Sequence, residues 1–289
     1  MNVPATSPAV DDADIVVQGL AATLADAEEV ASLTQARDIE ALGHGPTSAF
    51  RLTAPRTIGA LADAAASRRL DHALVPRSRK LADVRVVAMD MDSTLITIEC
   101  IDEIADMLGL KPQVASITER AMRGEIDFRA SLAQRVALLE GLPLSALERV
   151  YTERLRLSPG AEQMLARFGA AGAKSLLVSG GFTFFTDRLK ARLALDHTLS
   201  NVLEVADGKL TGRVAGAIVD AEAKAQALRD QRAGLPAGIS VAIGDGANDL
   251  PLFGAADVSI AYRAKPVVRA QATHALDFSG LDGVVNLFA

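Results

Sequence analysis

Two acidic motifs in this chain carry residues that could do chemistry. Asp90 and Asp92 follow the apolar run "VRVVAM", and Asp245 follows a second apolar run, "ISVAIG". If the two runs are strands of one parallel sheet, their carboxyl ends lie at the edge where such sheets bind ligands. Carboxylates that lie close together raise one another's pKa unless a cation lies between them. Mg²⁺ prefers oxygen donors of this kind, so the pattern predicts a magnesium site made by Asp90, Asp92 and Asp245.

The same motifs contain the groups that a phosphoryl transfer needs. One carboxylate of the Asp90–Asp92 pair can attack phosphorus, while the other protonates the leaving oxygen and then activates water. Ser179 and Gly180 end a third apolar run, and the backbone N–H groups that follow the serine can form an anion-binding nest. Lys224 lies upstream of "ISVAIG" and adds the positive charge that a phosphate dianion requires in an acidic cleft.

Each motif also has a purely structural interpretation, because Asp favours turns and "SGG" suits a loop. The combination of the aspartate pair with Asp245 and Lys224 favours a reactive site instead. Three other kinds of site are disfavoured by missing residues. "LVSGG" lacks the first glycine of a serine-hydrolase elbow, "GDGAND" lacks the third glycine of the dinucleotide fingerprint, and there is no Walker A motif.

Length and composition narrow the class of protein. The chain has 289 residues, 49% hydrophobic and 23% charged, which is typical of a globular protein with room for two domains. A net charge of −6 argues against a nucleic-acid surface, and no apolar run is long enough to span a bilayer. One cysteine, Cys100, excludes an internal disulfide framework. With no recognisable signal peptide, the expected location is the cytoplasm.

The elements that must position the motifs lie in residues 84–289. Strand-like apolar runs alternate there with helical patterns, which predicts a doubly wound parallel sheet of the α/β class. Residues 100–157 carry only helical patterns and predict a helical cap inserted after the first strand. A hairpin is predicted around Asp207 and Gly208.

The N-terminal part has a different pattern. Residues 1–12 are small and polar, and we expect them to be flexible. Residues 13–78 have the order β-α-β-β-α-β, which predicts a small ferredoxin-like α+β domain. Its second helix is expected to begin at Thr57 as N-cap.

Four motifs in sequence order resemble those of the haloacid dehalogenase (HAD) superfamily: "DMDST", "SGG", Lys224 and "GDGAND". "ECIDEIA", "MRGEIDFRASLAQRV", "LVSGGF" and "DGKLTG" make residues 84–289 similar to the phosphoserine phosphatase family within it. The resemblance implies a HAD-like core and Mg²⁺-dependent hydrolysis of phosphoserine through an aspartyl phosphate, the last step of serine biosynthesis. The first 80 residues do not share it, although their pattern resembles amino-acid-binding domains of the ACT type.

The resemblance also implies a role for each core residue. Asp90 is expected to be the nucleophile and Asp92 the general acid and base. Asp90, Asp245 and the backbone carbonyl of Asp92 are expected to hold Mg²⁺. The residues expected to contact the phosphate are Ser179, Gly180, Lys224 and Asn248, and Asp249 is expected to support them. The chain departs from the family pattern at Met91, where Phe is usual; Met is apolar and adaptable, so the chemistry is not put in doubt.

In the cap, the resemblance implies that Glu99 meets the ammonium group and Arg135 the carboxylate of the serine moiety. Met122 and Phe128 are expected to close over the substrate. Taken without the resemblance, Glu99 and Arg135 are ordinary surface charges, while Met122 and Phe128 suit the core of a helical bundle.

Three functions therefore remain open. Phosphoserine hydrolysis is favoured because Glu99 and Arg135 suit a zwitterion. A phosphatase or phosphotransferase of the same fold for another small phosphomonoester is the second. The third is a catalytically idle amino-acid sensor, which the intact acidic motifs disfavour. The expected partner is phosphoserine, with no nucleic acid and no membrane. An amino-acid effector at the N-terminal domain and a homodimer are left open.

Overall fold

The structure is a computed structural model that describes residues 8–43 and 45–288. Residues 1–7, which belong to the segment predicted to be flexible, lie outside the described residues. The remainder of that segment includes one 3₁₀ turn, Val10–Asp12. Among the described residues, no helix is both long enough and apolar enough to cross a membrane.

The N-terminal part folds into a four-stranded sheet covered by two helices. Its elements are β1 (Ala13–Gly19), α1 (Leu24–Thr34), β2 (Asp38–Leu42), β3 (Ser48–Thr53), α2 (Leu61–Ser67) and β4 (Asp71–Pro76). The strand order is β2-β3-β1-β4, and every neighbouring pair is antiparallel. The structure thus has the predicted β-α-β-β-α-β order.

The expected start of α2 is wrong. The helix begins at Leu61, and its N-cap position is Ala60, which has no side chain able to cap. The hydroxyl of Thr57 instead accepts a hydrogen bond from the N–H of Gly59 at 3.4 Å, within a turn that precedes the helix. Local side-chain bonds of this kind compete with helix capping.

A seven-stranded sheet forms the centre of the rest of the protein. Its strands are β5 (Val84–Met89), β6 (Lys174–Phe182), β7 (His197–Ala206), β8 (Lys209–Ala215), β9 (Ile239–Gly244), β10 (Val258–Tyr262) and β11 (His274–Leu276). The order is β11-β10-β9-β5-β6-β7-β8, parallel except for the β7–β8 hairpin, which was predicted. Because the chain continues from β5 to β6 on one side and reaches β9 on the other, the sheet has its switch point beside β5.

Helices cover both faces of this sheet. They are α3 (Cys100–Met107), α4 (Lys111–Met122), α5 (Phe128–Ala137), α6 (Leu144–Arg149), α7 (Ala161–Ala170), α8 (Thr183–Leu193), α9 (Ala221–Ala233), α10 (Leu250–Ala255) and α11 (Pro266–Arg269). Side chains alternate along β5, so Val87 and Met89 pack in one core and Val86 and Ala88 in the other. Helices α7 and α8 contribute to the first core, and α9 and α10 to the second. The predicted doubly wound architecture is confirmed.

The cap consists of α3 to α6, as predicted for residues 100–157. It is attached to the β7–β8 hairpin, a contact that the sequence did not predict. The N–H of Gly141 donates to the carbonyl of Leu210 at 2.8 Å, and the N–H of Leu210 donates to the carbonyl of Leu142 at 2.8 Å. The hairpin therefore supports one side of the cap.

The N-terminal sheet packs against the C-terminal segment Leu281–Leu287, a 3₁₀ helix that was not predicted. Buried Gln18 on β1 donates to the carbonyl of Gly283 at 3.1 Å, and Arg51 on β3 donates to that of Phe288 at 3.1 Å. The first and last parts of the chain thus form a common core, which Val16 shares with Leu281.

Candidate active site

Asp90 continues the central strand by one residue. Its N–H donates to the carbonyl of Ile243 at 3.0 Å, so the pairing with β9 extends to the point where the side chain leaves the sheet. Its Oδ1 accepts from the N–H of Met91 at 2.7 Å, and its Oδ2 lies 2.9 Å from Nζ of Lys224. The side chain is held between these two donors at the switch point of the sheet.

The chain turns away from the sheet immediately after Asp90. Ser93 adopts φ +54°, in the left-handed region that non-glycine residues rarely occupy. This turn brings Asp92 beneath the first turn of α3, where its Oδ1 accepts from the N–H of Cys100 at 3.0 Å. Burial, together with the nearby charges of Glu99 and Asp90, raises the pKa of Asp92 to about 8. Burial and these neighbouring charges thus favour the protonated form of Asp92.

The "SGG" motif ends β6 next to these carboxylates. Ser179 is fully buried, and its Oγ accepts from the N–H of Gly181 at 2.8 Å. A Cβ placed on Gly180 would lie 3.1 Å from Cζ of Phe128, and one placed on Gly181 would lie 2.9 Å from Oδ2 of Asp92. Other site residues thus approach the backbone of both glycines closely, and a larger residue at either position would displace them.

Lys224 lies below the site on the first turn of α9. It is buried, and its Nζ lies 2.9 Å from Oδ2 of Asp90 and 2.9 Å from Oδ1 of Asp249. Burial alone would lower the pKa of Lys224, but these two carboxylates raise it well above its ordinary value. One ammonium group cannot neutralise two carboxylates, and burial and the charge of Asp90 raise the pKa of Asp249.

Asp245 and Asn248 follow β9 on the other side of Asp90. Oδ1 of Asp245 accepts from the hydroxyl of Thr94 at 2.9 Å, and Nδ2 of Asn248 lies 3.4 Å from Oδ2 of Asp90. Burial and the charge of Asp90 raise the pKa of Asp245 to about 6. The site therefore holds more negative charge than its one buried lysine balances.

Three of these carboxylates are placed to share a cation. Oxygen atoms of Asp90, Asp245 and Asp249 all lie within 4.8 Å of one another. Oxygens of Asp249 are already bonded to Lys224 and to the N–H of Gly246, which suits the supporting role predicted for it. The carboxylate of Asp92 is not in this group; its predicted contribution is the backbone carbonyl. A hard cation fits the site, because the donors are carboxylates and their excess charge is uncompensated.

The cap closes one side of a cavity of about 420 Å³ above these groups. Most of the predicted site residues line it: Asp90, Asp92, Glu99, Met122, Phe128, Arg135, Ser179, Gly180, Asp245 and Asn248. Lys224 and Asp249 lie behind the carboxylates rather than in the wall. Met122 is 68% exposed, so the interpretation of this residue as bundle core is wrong.

The two charged residues of the cap do not neutralise each other by contact. Oε1 of Glu99 accepts from the hydroxyl of Ser93 at 2.6 Å. Nε of Arg135 donates to the carbonyl of Ser131 at 3.4 Å, and within the described residues its guanidinium forms no ion pair. Burial lowers the pKa of Arg135, although nearby Asp102 and Glu99 oppose this effect. The cavity thus contains a partly desolvated cation that has no anionic contact in the described part of the chain.

Some residues of the site were not predicted. Asn201 on β7 donates from Nδ2 to the carbonyl of Gly180 at 2.8 Å and accepts from the N–H of Val219 at 2.8 Å, which fixes the loop after Ser179. The hydroxyls of Thr94 and Ser93 orient Asp245 and Glu99 respectively. Both residues belong to the "DSTL" segment, so their position next to the aspartates could have identified them from the sequence. No comparable local signal marks Asn201, because its partners are distant in sequence.

A family model described as haloacid dehalogenase-like hydrolase matches residues 87–254. This match covers more than half of the chain and begins within β5, before the first aspartate. The fold and the site thus define a haloacid dehalogenase-like hydrolase.

Curated relatives define the family more narrowly. A phosphoserine phosphatase of Polaromonas sp. is 53% identical over 215 residues, which are 72% of this chain and 91% of that protein. A phosphoserine phosphatase of Vibrio cholerae is 46% identical over 222 residues, which are 76% of this chain and 67% of that protein. The chain belongs to the phosphoserine phosphatase family, as its motifs predicted.

Solved structures agree with this assignment. An unliganded probable phosphoserine phosphatase from Vibrio cholerae superposes with a TM-score of 0.83 at 38% identity, over 99% of this chain and 88% of that one. A substrate-bound phosphoserine phosphatase superposes with a TM-score of 0.65 at 35% identity, over 71% of this chain and 99% of that one. The first likeness includes the N-terminal sheet as well as the catalytic part.

Proposed function

We propose that this chain hydrolyses O-phospho-L-serine to L-serine and phosphate, the last step of serine biosynthesis. The observation that carries the proposal is the division of charge in the cavity. The core side presents a buried ammonium group and acidic metal donors, which suit a phosphate. The cap side presents Glu99 and an Arg135 guanidinium without an ion-pair partner among the described residues, which suit an ammonium and a carboxylate.

In the first step, a carboxylate oxygen of Asp90 forms a bond to phosphorus while the bond from phosphorus to the serine oxygen breaks. Asp92 donates its proton to that serine oxygen, which leaves as the hydroxyl of serine. Its pKa, which burial and nearby Glu99 raise, supports this role, and the N–H of Cys100 fixes its Oδ1 at 3.0 Å. The product of this step is an aspartyl phosphate on Asp90.

In the second step, water attacks phosphorus and Asp92 accepts the proton of the water. The bond between phosphorus and Asp90 breaks, so phosphate is released and both aspartates return to their initial states. Ser179, Gly180, Lys224 and Asn248 are proposed to hold the phosphate oxygens. Phe128 lies against Gly180 and is proposed, with Met122, to exclude bulk water.

The proposed metal is Mg²⁺, held by Asp90, Asp245 and the backbone carbonyl of Asp92. When bound, Mg²⁺ would neutralise negative charge on these donors and on the phosphate. Asp249 is not a proposed metal ligand, because its oxygens accept hydrogen bonds from Lys224 and from the N–H of Gly246.

The test is a rate assay on phosphoserine, glycerol phosphate and an aryl phosphate, each with added Mg²⁺ or with a chelator. Mg²⁺-dependent hydrolysis with a strong preference for phosphoserine is expected. Equal rates on phosphoserine and glycerol phosphate would favour the second candidate, a phosphatase for other small phosphomonoesters. No hydrolysis of any substrate would favour the sensor.

We also propose that residues 13–78 form an ACT-type domain that binds an amino acid, next to a catalytic domain of residues 84–289. Support comes from the strand order β2-β3-β1-β4 and from a cavity of about 580 Å³ between α2, β4 and β11. Arg79 lines this cavity, and its guanidinium forms no ion pair within the described part of the chain. A homodimer and a cytoplasmic location stay predictions.

Calorimetric titration with L-serine tests the effector, since the product should also bind in the catalytic cavity. Arg135→Ala should remove the catalytic event and Arg79→Ala the event at the N-terminal cavity. If Arg135→Ala removes all binding and Arg79→Ala removes none, the effector proposal fails.

A further inference from the structure

The cap is joined to the core very differently on its two sides. On one side, backbone hydrogen bonds link it to the β7–β8 hairpin, including Gly141 to Leu210 at 2.8 Å and Leu144 to Gly208 at 3.2 Å. On the other side lie α4 and the start of α5, which cover the cavity. Within the described residues, Arg129 and Asp220 form the one side-chain ion pair between residues 101–138 and the core.

This pair makes two contacts through a single carboxylate oxygen. Nη2 of Arg129 donates to Oδ2 of Asp220 at 2.6 Å, and Nε donates to the same oxygen at 3.1 Å. The other oxygen, Oδ1, accepts from the N–H of Ala223 at 3.0 Å and so caps α9. The hydrogen bond from Arg129 lowers the pKa of Asp220, so the pair is charged throughout the neutral range.

Both partners adjoin residues of the proposed site. Arg129 follows Phe128, whose ring lies against Gly180. Asp220 begins α9, and the N–H of Lys224 donates to its carbonyl at 3.1 Å. The pair therefore joins the start of the helix that covers the cavity to the start of the helix that carries the buried lysine.

We propose that Arg129 and Asp220 form a cap latch, which favours the closed cap and thereby positions Phe128 over the substrate. Arg129 is a positioning residue, since its guanidinium contacts the core and not the cavity. Its side chain is 63% exposed and that of Asp220 25%, so the pair changes the ratio of closed to open cap only about two- to fivefold. A change of this size still lets the cap open for product release, while the cap stays closed for a larger fraction of the time.

The kinetic consequence rests on the proposed function. If substrate binds tightly only to the closed cap, the apparent affinity falls in proportion to the closed fraction. Arg129→Ala should then raise KM for phosphoserine, by the full factor of about two to five if the free cap is mostly open and by less if it is mostly closed, and leave kcat unchanged or slightly higher. Arg129→Lys should give an intermediate KM, because lysine keeps the charge but not the paired donors.

The structural consequence does not depend on the substrate. Hydrogen exchange followed by mass spectrometry on the full chain should show faster exchange in residues 111–130 of Arg129→Ala, by the full factor of about two to five if the free cap is mostly closed and by less if it is mostly open. Asp220→Asn keeps an oxygen that can cap α9 but removes the charge, and should have the same effect. The double variant should be no worse than the single variants, because both remove one interaction.

Arg149→Ala is the matched control. Arg149 is 62% exposed and pairs with Glu153 at 2.9 Å entirely within the cap, so its removal should change neither exchange nor KM. Unchanged exchange and KM in Arg129→Ala would overturn the latch, and so would a fall in kcat at constant KM. Faster exchange in a protein that never hydrolyses phosphoserine would support the latch while refuting the proposed substrate.

Discussion

The two sides of the catalytic cavity are built in different ways. On the core side, Ser179, Lys224 and Asp249 are each at most 1% exposed and have hydrogen-bond partners at 2.8–2.9 Å. On the cap side, Met122 is 68% and Phe128 36% exposed, and Arg135 has no ion-pair partner among the described residues. The core side is thus held by contacts within the protein, whereas the cap side keeps exposed and unpaired groups that the proposed substrate would contact.

This difference fits the chemistry proposed for each side. Transition-state stabilisation is largest when donors and charges are fixed beforehand, because no reorganisation is then needed during the reaction. Selection of the alcohol part of the substrate can be left to groups that close over it. Substitutions on the core side should therefore remove activity towards every substrate. Those on the cap side should remove the preference for phosphoserine over other phosphomonoesters.

The largest effect is expected for Asp90→Asn on the core side. An amide cannot attack phosphorus as a carboxylate does, so kcat for every phosphomonoester should fall at least about 10²-fold. Mass spectrometry of acid-quenched enzyme should detect no phosphoenzyme, and circular dichroism should show an intact fold. Activity above about one hundredth of wild type would contradict the role of nucleophile.

Asp92→Asn, between the two sides, should slow hydrolysis of phosphoserine by roughly 10²–10⁴-fold, because the leaving oxygen is no longer protonated. Aryl phosphates have better leaving groups and need less protonation, so their first step should be less affected. Burst kinetics with both substrates separates the two steps. Equal slowing of the first step for alkyl and aryl substrates would contradict the acid role.

Lys224→Met tests whether the core side is also needed for stability. It would leave Asp90 and Asp249 buried without their shared cation, which typically costs about 3–5 kcal/mol of unfolding free energy. Denaturant unfolding at neutral pH measures this loss. Adding Asp249→Asn should restore part of it by removing one buried charge; a double variant less stable than Lys224→Met would refute the explanation.

Arg135→Ala tests the cap side and should have the most selective effect. It should lower kcat/KM for phosphoserine by a factor that corresponds to a loss of about 2–5 kcal/mol in transition-state stabilisation. This is the range for removing one partner of a desolvated charge pair. Glycerol phosphate, which has no carboxylate, should be almost unaffected. The unfolding free energy should change by less than about 1 kcal/mol, since no ion pair is lost. Equal loss for both substrates would assign Arg135 to structure or phosphate binding.

Much of the fold could be predicted from the sequence because it depends on the local pattern of apolar residues. The unbroken apolar run of β5 and the helical spacing of residues 100–157 predicted the sheet and the cap correctly. The start of α2 was predicted wrongly because the hydroxyl of Thr57 can either cap a helix or accept a hydrogen bond within a turn. The sequence alone does not show which of the two hydrogen bonds forms. The 3₁₀ segment Leu281–Leu287 was missed because it is held by packing against the N-terminal sheet.

By itself, the sequence determined which chemical groups stand at the ends of β5, β6 and β9. Strand ends in a parallel sheet converge whatever the details of packing. Only the tertiary structure decided that Lys224 bridges Asp90 and Asp249, that Asn201 holds the loop of Gly180, and that Arg129 reaches Asp220. These contacts join residues 21 to 134 positions apart, counted from Gly180 to Asn201 and from Asp90 to Lys224. Their geometry depends on how helices and cap pack, which no local pattern encodes.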